Sequence, residues 1–443
     1  MFLLVAKGAS PNSASFWVAA IDGPNVANLT LRIDGRQLPV PALSAPWTTN
    51  DGSFSLRTAL VAVPGLTERT SYAAELARAG AVVARGWVAT PPGELPRTGD
   101  SPLRVFLGSC FCRIKDEEGI VGQRFAQLPP GARPDLNLLC GDQVYLDSPA
   151  SYFLRPHFDD TLENVFAENY EKTWDPESLE RGFAAILARG PTYFLADDHE
   201  FWNNAPSKSF AVHTWTDGGR AHWWKIARAL YERFQSDDAA VTFAIGRLSF
   251  FLADTRVNRA GERFMRPADL AALDAWIAHL DGPGVLAIGQ PLFTEKAGNV
   301  GGTFGDWALP NFRQYEALVQ SLVRSTHSIV VVTGDVHFGR ISYCTLPTGA
   351  ELVEVISSPL RLVDDVAGKK WEPPPSVFPA VDVPNVPKLR IACDDGLREW
   401  KDHFLMLDFS ATGNGVHLAV THYPIEPGAG PRDGRVVFHR NLH

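Results

Sequence analysis

YFLADDHEFWNN, residues 193–204, runs from an apolar approach straight into Asp197, Asp198, His199 and Glu200, then an aromatic pair and two asparagines. YFLA has the composition of a buried strand, so four ionisable side chains are set down at its end. The same punctuation recurs along the chain. LRVFLG (103–108) is followed by Ser109-Cys110, and NLLCG (137–141) by Asp142 and Tyr145. FFLA (250–253) is followed by Asp254, Thr255 and Arg256, and VVVTG (330–334) by Asp335 and His337. Between these runs lie helical stretches: TLENVFAENYEKTW (161–174), GGRAHWWKIARALYERF (218–234), PADLAALDAWIAHL (267–280) and NFRQYEALVQSLVRS (311–325). Pro267 suits the first turn of the third. Strands alternating with helices predict a layered α/β core, with chemistry at the C-terminal ends of its strands.

The first 90 residues differ. SASFWVAA, LTLRIDG and RTALVAV are short β-rich runs, and an RAG turn separates two more in YAAELARAGAVVARGWVA. VPGLTERTSY (63–72) resembles the turn-and-tyrosine signature of fibronectin type III-like sandwiches. TPPGELPRTGDSP (90–102), with four prolines and two glycines, reads as a linker. The expected organisation is therefore a β-sandwich domain over 1–95 and a catalytic domain over 96–443. Residues 364–390 hold six prolines and read either as a loop beside the site or as a connector. HFLMLDFSATGNGVHLAVTHYPI (403–425) reads as two strands joined by TGNG.

A net charge of −9 argues against a nucleic-acid-binding surface or a membrane-surface protein, because phosphate-rich partners reward basic faces. It does not exclude a phosphate substrate, since bound cations invert the local sign. Five cysteines (110, 112, 140, 344, 393) form no disulfide framework and point to a reducing, cytoplasmic compartment. The N-terminus reads as a strand rather than a signal peptide; an export signal removed upstream would make the protein periplasmic or secreted.

The strand ends deliver Cys110, Asp142, Tyr145, Asp198, His199, Asp335 and His337 to one rim, an inventory of thiolate, phenolate, carboxylate and imidazole. Carboxylates crowded on one rim raise one another's pKa unless cations neutralise them. Two metals bridged by one Asp, roughly 3.5–4 Å apart, would do so and would activate water for an in-line displacement at phosphorus. Thiolate and phenolate suit a transition ion, and an Asp-rich second position suits an oxygen-loving ion such as calcium.

GSC, GDQVY, DDHEFWNN, LADTR and GDVH, in that order, resemble the alkaline phosphatase D (PhoD-like) branch of the calcineurin-like metallophosphoesterases. The motifs span roughly residues 103–345, and DDHE followed by an Asn pair is the most specific of them. The resemblance implies an α+β chain, a fibronectin III-like β-sandwich followed by a four-layer αββα metallophosphatase domain. It implies phosphoester hydrolysis, of monoesters or diesters, by a metal-bound hydroxide at a dinuclear site. Cys110, Asp142, Tyr145 and His337 would hold Fe3+, and Asp142 would bridge to Ca2+ held by Asp198 and Asp335, with Asn203 as a further candidate ligand. His199 would protonate the leaving group, and Arg256 would grip a phosphate oxygen. Asp197 and Glu200 would support the ligands and His199 from behind. Asp198 and Asp335 stand where the wider superfamily commonly has Asn and His, which favours calcium over Zn2+ or Mn2+. Gln290 stands where that superfamily draws a further His.

Each residue also has a plainer reading. Cys110 alone is a small buried hydrophobe, or a nucleophile activated by His199 in a cysteine hydrolase. Tyr145 caps a core, and Arg256 pairs with Asp254. Cys112 and Cys140 read as core, as do Trp223 and Trp224 in HWW. GGTFGD (301–306) reads as a flexible loop near the site. A non-catalytic binding or interaction module that keeps the fold is the competing class; the near-complete ligand set argues against it.

Overall fold

The computed structural model of the chain describes all residues except 24–25, 117–118, 149–157, 176–181, 210–211, 237, 299–305, 362–370 and 427–433. Most of the GGTFGD loop and the start of the proline-rich segment therefore lie outside the described residues. Two mixed sheets form the centre of the larger half. One carries the parallel strands Leu103–Gly108, Leu136–Cys140 and Thr192–Leu195, extended by the antiparallel strands His403–Thr412, Gly415–Pro424 and Arg435–Leu442. The other carries the parallel strands Leu248–Ala253, Gly284–Ala287, Ile329–Thr333 and Glu351–Ile356, with antiparallel strands at both edges.

The apolar runs are continuous rather than alternating because both faces of each sheet are covered. Successive side chains point to opposite faces. Val105, Leu107, Leu138, Cys140, Val330 and Val332 enter the layer between the sheets. Phe106, Leu139 and Phe194 face a helical layer on one side, and Phe251, Leu286 and Val331 face helices on the other. Helix, sheet, sheet and helix thus stack as four layers. Truncating one of these side chains, Leu107→Ala for instance, costs about 2–5 kcal/mol by the usual cost of a core cavity.

The helices form where the sequence placed them. Asp217–Phe234 is capped by Thr216, whose side chain accepts from the Gly219 N–H at 3.0 Å. It buries Trp223, Ile226, Ala227, Leu230, Tyr231 and Phe234 on one face, at helical spacing. Trp223 is core, edge-on to Phe166, and Trp224 stacks on Phe201 at 4.3 Å. Pro267 opens Pro267–Ala278 as expected. Among the described residues no helix is long and apolar enough to cross a membrane.

The front of the chain forms two four-stranded sheets around a core of Leu4, Phe16, Val18, Leu31, Val63 and Leu76. Tyr72 is buried and its hydroxyl accepts from the Thr67 N–H at 2.8 Å. The outer face of one of these sheets adds Leu3, Val5, Trp17 and Ala19 to the neighbouring helical core. Trp17 meets Phe234 at 5.7 Å, and Lys7 lies over the Trp17 ring while donating to the Gln235 carbonyl at 2.7 Å. The segment 90–102 is correspondingly no free tether. Pro91, Pro92 and Leu95 are buried, the Gly93 carbonyl accepts from Gly246 N–H, and the Pro96 carbonyl from Ala411 N–H. Its prolines terminate strands rather than loosen the chain.

Candidate metal centre

The parallel strands of the two sheets end at a common rim. After Gly108 come Ser109 and Cys110, after Cys140 come Gly141 and Asp142, and after Thr333 come Gly334 and Asp335. Cys110 (φ 58°), Asp142 (φ 58°), Asp335 (φ 71°) and His337 (φ 58°) all adopt left-handed backbone, a conformation of non-glycine residues that concentrates at functional sites. The glycines before two of them are there for space. A Cβ on Gly141, itself at φ 94°, would lie 2.5 Å from Asp197 Cβ, and one on Gly334 would lie 2.3 Å from Ser109. The strand ends approach too closely for any side chain at these points.

Three overlapping groups result. The ligand atoms of Cys110, Asp142 and His337 lie within 4.8 Å of one another, as do those of Asp142, Asp198 and His199 and those of Asp142, Asp197, Asp198 and Asp335. Asp142 belongs to all three. Cys110 Sγ is 3.3 Å from Asp142 Oδ2, and Tyr145 Oη is 3.5 Å from His337 Nε2. The rim therefore brings together six of the seven expected ligands. Asn203 is exposed at its edge, with its N–H held by Asp147 Oδ2 at 2.6 Å.

Electrostatics fit a cation here. Burial drives the Asp142 carboxyl well above the usual range, His199 opposes that, and Asp198, Glu200 and Asp335 add to it. Burial likewise drives the Cys110 thiol well up, and Asp142 adds to it. A buried Asp197 oxygen, Oδ2, has no hydrogen-bond partner. A soft donor, a phenol, an imidazole and clustered carboxylates match a transition ion beside a harder one, and a positive charge would remove the penalty each acid imposes on the next.

Glu200 holds the rim together from beneath. Its carboxylate accepts from the N–H groups of Asp142 (2.9 Å), Gln143 (2.6 Å) and Asp197 (2.8 Å), tying two ligand loops to one buried group. Burial nevertheless pushes it up to about 7. His199 lies outside the Cys110 group but within 4.8 Å of the ligand atoms of Asp142 and Asp198. Its Nδ1 faces Asp147 Oδ1 at 2.8 Å, and its ring stacks on Tyr145 at 4.1 Å. Burial alone would lower its pKa, but Asp147, Asp198 and Asp142 outweigh burial and hold it well above the ordinary value.

Arg256 requires a correction. Its side chain is fully buried and all three of its nitrogens donate to protein oxygens. Nε donates to Asp197 Oδ1 at 2.7 Å, and Nη2 lies 2.5 Å from the same oxygen. Nη1 donates to the Ala205 carbonyl (2.6 Å) and Asp306 Oδ1 (2.7 Å), and Nη2 to Asp306 Oδ2 (3.0 Å). A guanidinium saturated in this way braces Asp197; it is not poised over a phosphate. Among the described residues, Asp254 accepts from the Arg256 and Val257 backbone N–H groups rather than from the Arg256 side chain. Gln290, at the departure from the superfamily pattern, bonds Arg259 and Asp306 in the same network.

Sequence reasoning missed Asp147, Asp306 and Ser358. Ser358 Oγ lies 3.2 Å from Cys110 Sγ and accepts from the His337 N–H at 3.1 Å. It follows the run ELVEVI (351–356), whose trailing Ser357-Ser358 was a strand-end signal of the same kind. Asp147 and Asp306 carry no comparable signal. Cys112 is buried against Cys110 and Tyr145, nearer the site than a general core position.

Layers, strand ends and rim define a four-layer fold that carries a candidate metal centre. No protein-family model matches the chain, and no curated protein matches it by sequence. Among solved structures, that of PhoD aligns over 98% of this chain and 91% of its own at 13% identity, with a TM-score of 0.60. The purple acid phosphatase PPD1 from yellow lupin (Lupinus luteus) seeds aligns over 99% of this chain and 73% of its own at 12% identity, with a TM-score of 0.57. At such identities the likeness is one of fold, and it agrees with the PhoD-like reading of the motifs.

Proposed function

We propose that the chain is a metal-dependent phosphoester hydrolase, acting as an alkaline phosphatase or phosphodiesterase. The observation that carries this reading is Asp142, shared by all three ligand groups at the end of a central strand. Cys110, Asp142, Tyr145 and His337 would hold Fe3+, and Asp142, Asp198 and Asp335 would hold Ca2+, with Asn203 at the open edge. When bound, the two ions supply Lewis acidity and an activated water. The chain's own residues do the rest. Asp147 faces His199 Nδ1 and favours the imidazolium, whose Nε2–H would be the proton given to the leaving oxygen. Glu200 and the Arg256–Asp197 pair keep the ligand loops in place. A cysteine nucleophile is disfavoured, because Asp142 and burial both oppose the Cys110 thiolate.

The front sandwich is read as a fibronectin III-like scaffold over 1–95, supported by the Tyr72 hydroxyl bond. The free thiols of all five cysteines support a reducing compartment. The test is hydrolysis of mono- and bis-aryl phosphates by metal-loaded and chelator-stripped protein. Turnover should vanish on stripping and return with metal; turnover indifferent to chelation would sink the proposal.

A further inference from the structure

Beside the rim lies a cleft of about 330 Å3, bounded by Pro206, Lys208, Arg220, Arg259, Trp307 and Phe312. Both of its walls are anchored to the ligand cluster. On one side, residues 203–207 are pinned in sequence. Asn203 N–H donates to Asp147, Asn204 N–H to Asp198, and the Ala205 carbonyl accepts from Arg256. The Trp202 indole then fixes the Ser207 carbonyl at 2.8 Å. On the other side, Arg259 bonds Asp306 and the Trp307 carbonyl, and Asp306 clamps Arg256 against Asp197. The cleft is thus joined to the rim by hydrogen bonds on both sides, through Arg259, Asp306 and Arg256 to Asp197 and through the segment that begins with Asn204 to Asp198.

Its chemistry is specific. Trp307 is half-buried and meets the buried Phe312 edge-on at 5.1 Å, while the Arg259 guanidinium covers Phe312 at 4.9 Å. This gives a rigid aromatic wall backed by a cation, suited to a flat ring. Arg220 is tied to Asp217 and the Thr214 carbonyl, so its charge is partly spent. Lys208 is exposed and pairs with no carboxylate among the described residues. In a chain of net charge −9, an unpaired cation at the lip of a cleft next to an acidic rim is suited to a further anion on the ligand.

We propose that this cleft receives the alcohol portion of the substrate, and that this portion is a planar aromatic ring bearing its own negative charge. The ring lies on Trp307 and the second anion meets Lys208. The inference rests on the phosphoesterase reading for its link to turnover, but the cleft can be tested without turnover.

Three phosphate monoesters are compared on metal-loaded protein: 1-naphthyl phosphate, a sulfonated naphthyl phosphate and glycerol phosphate. Comparing each ester between wild type and variant cancels its intrinsic reactivity. Trp307→Leu should lower kcat/KM for both naphthyl esters about tenfold relative to glycerol phosphate, the scale of one lost ring contact. Lys208→Glu, an exposed change that leaves folding intact, should lower the sulfonated ester about tenfold relative to the plain naphthyl ester. Ratios that stay at wild-type values in both variants overturn the proposal. In parallel, the free alcohol, naphthol sulfonate, is titrated by tryptophan fluorescence. Wild type should bind it, and either variant should raise Kd about tenfold. Binding of this kind without hydrolysis of any ester overturns the phosphoesterase reading and upholds the cleft. Hydrolysis with no binding and unchanged ratios does the reverse.

Discussion

Replacing Arg256 by lysine is the sharpest probe of how the rim is held. The arginine makes four hydrogen bonds, from Nε to Asp197 Oδ1, from Nη1 to the Ala205 carbonyl and Asp306 Oδ1, and from Nη2 to Asp306 Oδ2, and Nη2 also pairs with Asp197 Oδ1. Lysine preserves the charge but offers three N–H groups from a single point, so at least one hydrogen bond is lost. Hydrogen bonds to charged groups contribute about 1.5–3 kcal/mol each, so the expected destabilisation is at least about 1.5–3 kcal/mol. Disruption of a buried ion pair independently gives about 3–5 kcal/mol. Urea denaturation followed by tryptophan fluorescence reads the loss as a lower midpoint, alongside inhibition by inorganic phosphate as a measure of oxyanion binding. A brace and a phosphate clamp predict different outcomes. An unchanged midpoint with phosphate inhibition weakened tenfold or more would refute the bracing role and return Arg256 to the substrate.

Asp147→Asn should leave metal content intact while lowering kcat by about tenfold to a hundredfold, a fraction of what a general acid supplies; loss of metal alongside activity would place Asp147 among the groups that hold the rim instead. Gly141→Ala forces a Cβ to 2.5 Å from Asp197 at a φ of 94°, so calorimetry should show destabilisation of about 2 kcal/mol or more. His422 is buried in the hairpin end, where burial, then His403 and Arg435, pushes its imidazole down to about 3. The unfolded group titrates near 6.5, so between pH 6.5 and about 3 the denatured state takes up a proton that the fold refuses. Stability should therefore fall with acid across that window by about 1.4 kcal/mol per pH unit, and His422→Gln should flatten the profile by that slope relative to wild type.

What the sequence revealed follows from the range of the interactions involved. The strand-end motifs were legible because a buried strand and the polar residue after it are neighbours in the chain. Cys110, Asp142, Asp198, Asp335 and His337 could thus be read from local pattern and brought together by the topology alone. Arg256 could not be assigned, because its role depends on Asp306, fifty residues downstream, and on Asp197, fifty-nine upstream. Composition does not encode either pairing. The role of Asp147 is visible only in three dimensions, against a histidine fifty-two residues away. The hairpin at 403–424 was announced by its TGNG turn, whereas Arg435–Leu442, which completes that sheet, follows the longer Gly- and Pro-rich stretch IEPGAGPRDG, which marks a loop without fixing the partner strand. The prolines of 90–102 mark a connecting loop without saying that the loop is packed, which only Pro91, Pro92 and Leu95 in the fold reveal.

The account's central claim is that Asp142 holds two cations at once. Metal analysis of purified wild type, Cys110→Ala, Asp198→Asn and Asp142→Asn tests it directly, with circular dichroism confirming that each is folded. Wild type should carry two metals per chain, a transition ion and a harder divalent ion. Cys110→Ala should lose the first, Asp198→Asn the second, and Asp142→Asn both. A folded Asp142→Asn protein that retains the full wild-type complement would contradict the claim.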